Sequence, residues 1–218
     1  MVTLMRKIKS QDTKWAQNLV RYVTEMTPLT PNDISIMSIL FASVAFFAYC
    51  GYNFLPYNIC LWLPLLAVFG IQMRLIFNLI GGMVAVEGGK KSAVCDIYNE
   101  FSDRVSDSLI IIGLGISGGN WISIILGFLA ALFAILTAYT RVLGGAIGVN
   151  QYFTGPMAKQ HRMALLTIAN IVCLGEFWIF NLHRIVAVVT LTIIIAGCIL
   201  TVRQRLKNIT RDLIAKNQ

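Results

Sequence analysis

Residues 74–107 read RLIFNLIGGMVAVEGGKKSAVCDIYNEFSDRVSD, and this stretch decides the fold. It starts inside one apolar run and passes, through Asp103 and Asp107, directly into another, LIIIGLGI at 109–116. Five of the ten acids of the chain fall in it: Glu87, Asp96, Glu100, Asp103 and Asp107. The last four are spaced four, three and four apart. At about 100° per helical residue they share one stripe, within about 60° of each other. Carboxylates crowded on one stripe at a membrane entrance repel unless a cation or a basic side chain neutralises them. Hard divalent cations choose oxygen ligands of this kind. A solvated first helical turn accounts for Asp96 and Glu100. It accounts poorly for Asp103 and Asp107, which lie deeper. Before the link, Arg74 and Asn78 are one turn apart and face the same way, while Gly81, Gly82 and Ala85 let a helix or ligand approach the backbone closely.

Working outward, the rest of the chain is apolar. Of 218 residues 57% are hydrophobic and 13% charged, with a mean hydropathy of +0.72. A soluble domain carries about 25% charged residues, so a disordered chain is excluded and a water-soluble globule has too little polar surface to cover it. The net charge of +8 does not point to nucleic acid, because the basic residues crowd the ends of apolar runs, as for anchoring at an anionic membrane. The five cysteines, Cys50, Cys60, Cys95, Cys173 and Cys198, are odd in number without paired spacing. They read as free, small hydrophobes.

A helix crossing a bilayer needs about 20 apolar residues. Six candidates lie at 34–51, 58–80, 97–117, 121–143, 163–181 and 185–202. Ahead of them Trp15, Leu19, Val23 and Met26 recur at helical spacing, predicting an amphipathic helix in the interface plane. The expected architecture is therefore all-α: a polytopic bundle of six transmembrane helices behind an N-terminal interfacial helix. Residues 1–32 form the interfacial helix and its opening segment, 33–202 the membrane domain, and 203–218 a basic tail. In this arrangement 15 of the 18 Lys and Arg residues fall on one side, five before the first span, five after the last and five in two links. The positive-inside rule places both termini in the cytoplasm. Arg74 and Arg104 fall inside spans, where ionisable residues are costly and usually functional. Glu176, also inside a span, is expected to hydrogen-bond a neighbouring helix.

These residues resemble the CDP-alcohol phosphatidyltransferase family of integral membrane enzymes. Its signature is D-x2-D-G-x2-A-R-x8-G-x3-D-x3-D, and Gly82, Ala85, Asp103 and Asp107 match it in register. Thr30-Pro31-Asn32 is similar to the T-P-N segment that opens the family's first span. Asn78 and Gly81 stand where the signature has its first two Asp residues, Val86 stands for the Arg and Asn99 for the later Gly, and the spacer is about four residues longer.

The resemblance implies transfer of a phosphatidyl group from a CDP-activated lipid to a small alcohol, with release of CMP, in phospholipid biosynthesis. It implies Mg²⁺ or Mn²⁺ held by Asp103, Asp107 and Asn78, with Asp107 as general base on the acceptor. The CDP-lipid is expected against Arg74, Asn78, Gly82 and Ala85. Arg141, Lys159 and Arg162 gather around the link Gly155-Pro156-Met157-Ala158 and are expected to bind an acceptor phosphate. Contacts with anionic headgroups explain the same cluster. A cytoplasmic active site and a homodimer are the remaining expectations. Two readings stay open beside an active enzyme. A catalytically silent member would bind CDP-lipid or partner proteins through the same scaffold, and an ion or solute transporter would use the intramembrane charges. The chain has no internal repeat of the kind transporters carry.

Overall fold

The structure, a computed structural model, describes residues 14–86, 94–180 and 184–216. Arg6, Lys7, Lys9 and the link from Glu87 through Lys91 lie outside the described residues, as do the side chains of Trp15 and Leu19. Among the described residues the chain is entirely helical: α1 (Lys14–Met26), α2 (Pro31–Gly51), α3 (Tyr57–Cys60), α4 (Leu63–Val86), α5 (Cys95–Ser117), α6 (Trp121–Ala146), α7 (Lys159–Phe180) and α8 (Arg184–Lys216).

Local chemistry accounts for the ends of these helices. Thr30 caps α2. Its hydroxyl accepts from the Asp33 amide at 3.3 Å while Asp33 Oδ2 accepts from the Thr30 amide at 2.9 Å. Pro31 then sits in the first turn, where a missing N–H costs nothing. The T-P-N-D run is thus a capping box that fixes where the first long apolar helix begins. Glu176 on α7 serves the other end of the bundle. Its two carboxylate oxygens accept from the amides of Ile185 and Val186 at 3.1 and 3.2 Å, satisfying orphan donors at the start of α8. Glu176→Ala is expected to cost about 1 kcal/mol, lowering the thermal midpoint by roughly 2–4 °C. An unchanged midpoint in detergent would show that these bonds contribute nothing.

Helix α2 packs on α4 and α5, α6 on α5 and α8, and α4 on α7. Small residues set how closely they pack. A Cβ at Gly115 on α5 would lie 2.7 Å from Gly127 Cα on α6, and one at Gly70 on α4 would lie 2.7 Å from the Phe41 carbonyl oxygen on α2. Only glycine admits backbones this close. The alanine row Ala42, Ala45 and Ala48 of α2, with Ala67, Ile71, Ile110, Ile111 and Leu114, forms the shared core. All five cysteines are free.

Four stretches are long and apolar enough to cross a membrane: Pro31–Gly51, Tyr57–Val86, Trp121–Ala146 and Ile185–Lys216. Among the described residues the count is four, not the expected six. The expected third span, α5, carries Asp96, Glu100, Asp103, Arg104 and Asp107 in its first half. The described side chains of the expected fifth span, α7, end at Glu176. The chain is an integral membrane protein in which these two helices bring charge among the apolar ones. The helix α8 also runs on to Lys216, through the segment expected as a tail.

Candidate functional site

Asp103 and Asp107 lie one turn apart on α5, 5% and 2% exposed. Two ionised carboxylates cannot be buried this deeply without compensation. Three cations from two other helices supply it. Arg74 on α4 is fully buried and bridges them: its Nη2 donates to Asp103 Oδ1 at 3.0 Å and to Asp107 Oδ1 at 2.6 Å. Arg162 on α7 donates through Nη2 to Asp107 Oδ2 at 2.8 Å. Lys159, the first residue of α7, places Nζ 2.6 Å from both oxygens of Asp103.

Asn78 completes this centre. Its Nδ2 donates to Asp103 Oδ1 at 2.8 Å and to Asn99 Oδ1 at 2.9 Å, and its Oδ1 accepts from Lys159 Nζ at 2.7 Å. The one-turn spacing of Arg74 and Asn78 on α4 thus faces the one-turn spacing of Asp103 and Asp107 on α5. Gly82 and Ala85 are buried farther along α4.

A second tier surrounds the first. Arg141 on α6 pairs with Glu100 and lies 4.9 Å from the centroid of the Phe153 ring. Arg104 lies 3.7 Å from Glu100 and 3.6 Å from Asp103. Arg162 Nη1 donates to Thr137 Oγ1 at 3.1 Å and to the Met157 carbonyl at 2.9 Å. Arg205 on α8 is 5% exposed. It donates to the Thr154 carbonyl at 2.9 Å and to the carbonyl of Thr137.

Six cationic side chains (Arg74, Arg104, Arg141, Lys159, Arg162 and Arg205) thus gather around three carboxylates (Glu100, Asp103 and Asp107), an excess of three positive charges. Such an excess, largely buried, favours anions. Arg74 Nε and Nη1 and Arg162 Nε are buried and carry no hydrogen-bond partner among the described residues.

The structure therefore brings Arg74, Asn78, Asp103, Asp107, Lys159 and Arg162 into one cluster and sets Arg141 beside it, against Glu100. Lys159 and Arg162, expected at a separate acceptor region, pair here with Asp103 and Asp107. Arg205, in the segment expected as a basic tail, joins them from beyond the apolar run of α8. A signal was present: the buried residues Ile194, Cys198, Thr201, Arg205 and Ile209 continue one helical stripe at spacings of four, three, four and four.

A resident divalent ion would need a shell of oxygen ligands. Such an ion takes about six oxygens. Among the described residues no group of three or more His, Cys, Asp and Glu side chains is close enough to share one. Each oxygen of Asp103 and Asp107 already accepts from a cationic nitrogen. At Gly81 a Cβ would lie 3.3 Å from Ile34 Cγ2 and 3.7 Å from the Pro31 carbonyl, so that position faces the start of α2 and contributes no side-chain oxygen. These residues, in this arrangement, do not fit a resident divalent cation.

No family model matches the chain, and no curated protein does. Among solved structures the chain is similar to the phosphatidylinositol phosphate synthase of Mycobacterium tuberculosis. With CDP-DAG bound, that protein aligns at a TM-score of 0.69 and 15% identity, over 90% of this chain and 94% of that one. Its complex with manganese and citrate gives 0.67 and 15%, over 89% and 88%. Its apo form gives 0.64 and 17%, over 89% and 94%. The likeness covers nearly the whole of both chains, and at these identities it concerns the fold.

Proposed function

We propose that this protein is a CDP-alcohol phosphatidyltransferase-like membrane protein of phospholipid biosynthesis. It binds a CDP-activated lipid and transfers the phosphatidyl group to a small alcohol, releasing CMP. The observation that carries this reading is the buried excess of positive charge around Asp103, Asp107 and Glu100. A pyrophosphate is the kind of group such a surplus retains, and guanidinium forks match phosphate oxygens. A fold shared with a structure holding CDP-DAG supports the choice of nucleotide-lipid over a free phosphate.

The chemistry follows from the chain's own side chains. A phosphate that reaches the cluster competes with Asp107 for the guanidinium groups of Arg74 and Arg162, which now hold it. Recruitment of either guanidinium by phosphate loosens its hold on Asp107 and frees a carboxylate oxygen. The acceptor oxygen then forms its bond to the lipid-side phosphorus, the bond to CMP breaks, and the hydroxyl proton passes to Asp107. Cations beside the phosphoryl oxygens stabilise the charge that develops. In this reading Arg141 and Arg205 receive the phosphate of a phosphorylated acceptor. Both termini and the site face the cytoplasm in this reading, following the basic residues.

A specific observation favours a second reading. With Asp103 and Asp107 fully engaged and Gly81 offering no oxygen, a silent protein would bind the CDP-lipid without turning it over. The deciding experiment is CMP release by purified protein in detergent, given CDP-diacylglycerol and a panel of glycerol phosphate, inositol phosphate, inositol and serine. Release with any acceptor supports the transferase. Binding without release across the panel selects the silent protein, and absence of binding removes both.

A further inference from the structure

We infer that Lys159 is a built-in cation that takes the place of a divalent metal ion between Asn78 and Asp103, so that the site carries its positive charge in side chains. The inference concerns the site of the proposed function and rests on that reading only for the phosphates the charge would serve.

The first support is the coordination of the ammonium group. An ammonium has three protons and no acceptor. Here Nζ has three oxygens at 2.6, 2.6 and 2.7 Å, two from Asp103 on α5 and one from Asn78 on α4. A cation shared by oxygens of two helices is the arrangement a small metal ion would make. An ion at the same oxygens would meet Lys159 Nζ and Arg74 Nη2 within a few ångström, and like charges this close repel strongly.

The second support is how Lys159 reaches the site. It follows a link pinned to α8. The Met157 amide donates to Thr201 Oγ1 at 2.9 Å. Gly155 has φ 133°, and a Cβ there would lie 2.4 Å from Thr201 Cγ2, so no other residue lets the link lie so close. Met157 is buried, and a Cβ at Gly197 would meet its side chain at 2.6 Å. Two residues of the link, Gly155 and Met157, seated on Thr201 and Gly197 of α8, thus fix the start of α7, and with it the position of the ammonium. A side chain that merely strayed toward the nearest carboxylate would not need this.

The third support is the partners of Asn78. Its amide gives both protons, to Asp103 and Asn99, which leaves its oxygen to Lys159. A neutral amide is a weak ligand for a hard divalent ion and a sufficient acceptor for an ammonium.

The test is Mn²⁺ binding to the full-length protein in detergent without lipid, read as loss of the free-ion EPR signal and as a Mn²⁺-dependent thermal midpoint. The wild-type protein is expected to leave the signal and the midpoint unchanged. Lys159→Ala is expected to bind Mn²⁺ at least roughly tenfold more tightly, because the competing charge is gone, and to gain midpoint with added Mn²⁺. Lys159→Arg, which keeps the charge, is expected to behave as wild type. Mn²⁺ binding by the wild-type protein that is lost in Asp103→Asn overturns the inference, as does a folded Lys159→Ala that gains nothing. Should Lys159→Ala not fold, the wild-type and Lys159→Arg titrations decide. No step of this assay uses CDP-lipid, so failure of the proposed function leaves its outcome readable.

Discussion

Arg74→Met is expected to destabilise the protein by about 3–5 kcal/mol, the usual consequence of removing one partner from a buried ion pair. The thermal midpoint in detergent should fall by roughly 10 °C or more. The size follows from geometry. Arg74 is fully buried and spans two carboxylates, each itself almost fully buried. Methionine replaces most of its volume but none of its charge. Asp107 would keep only Arg162, and Asp103 only Lys159, Arg104 and Asn78. The double variant Arg74→Met/Asp107→Asn should be less damaged than the two single effects added, because it removes a charge with its partner. A midpoint within a couple of degrees of wild type in Arg74→Met would mean that the bridge is not formed in the membrane protein. The site's architecture would then have to be redrawn.

Asp107→Asn is expected to reduce CMP release by about 10²–10⁴-fold, the range for loss of a positioned general base, while CDP-lipid binding persists or tightens. The two parts of this expectation share one cause. Asparagine keeps the size of aspartate and one acceptor oxygen, yet cannot take a proton. It also frees Arg74 and Arg162 from a charged competitor, so both can turn to the lipid phosphates. A purely structural Asp107 would give the opposite pattern, with binding and release lost together. Release within about threefold of wild type would remove Asp107 from the chemistry.

Much of this protein is written in local pattern. The apolar runs mark α2, α4, α6 and α8 because span length is a property of contiguous sequence. Thr30-Pro31-Asn32-Asp33 marks the start of α2 because a capping box closes within four residues. The depth of Asp103 and Asp107 was legible because they lead directly into an apolar run. Their shared face with Asp96 and Glu100 follows from helical period alone.

What neutralises those acids was not legible. Arg74, Lys159 and Arg162 lie 29 to 56 residues away from their partners, and helical period says nothing of which helices meet. By pattern Lys159 and Arg162 read as an outlying basic cluster, Arg205 as part of a tail, α7 as an ordinary span, and α5 as a span with unexplained charges in its first half. Only the packing of α4, α5 and α7 turned scattered cations and two acids into one centre. The reason is physical: hydrophobic length and turn chemistry act between neighbours in the chain, whereas a buried charge takes whichever opposite charge the folded bundle sets beside it.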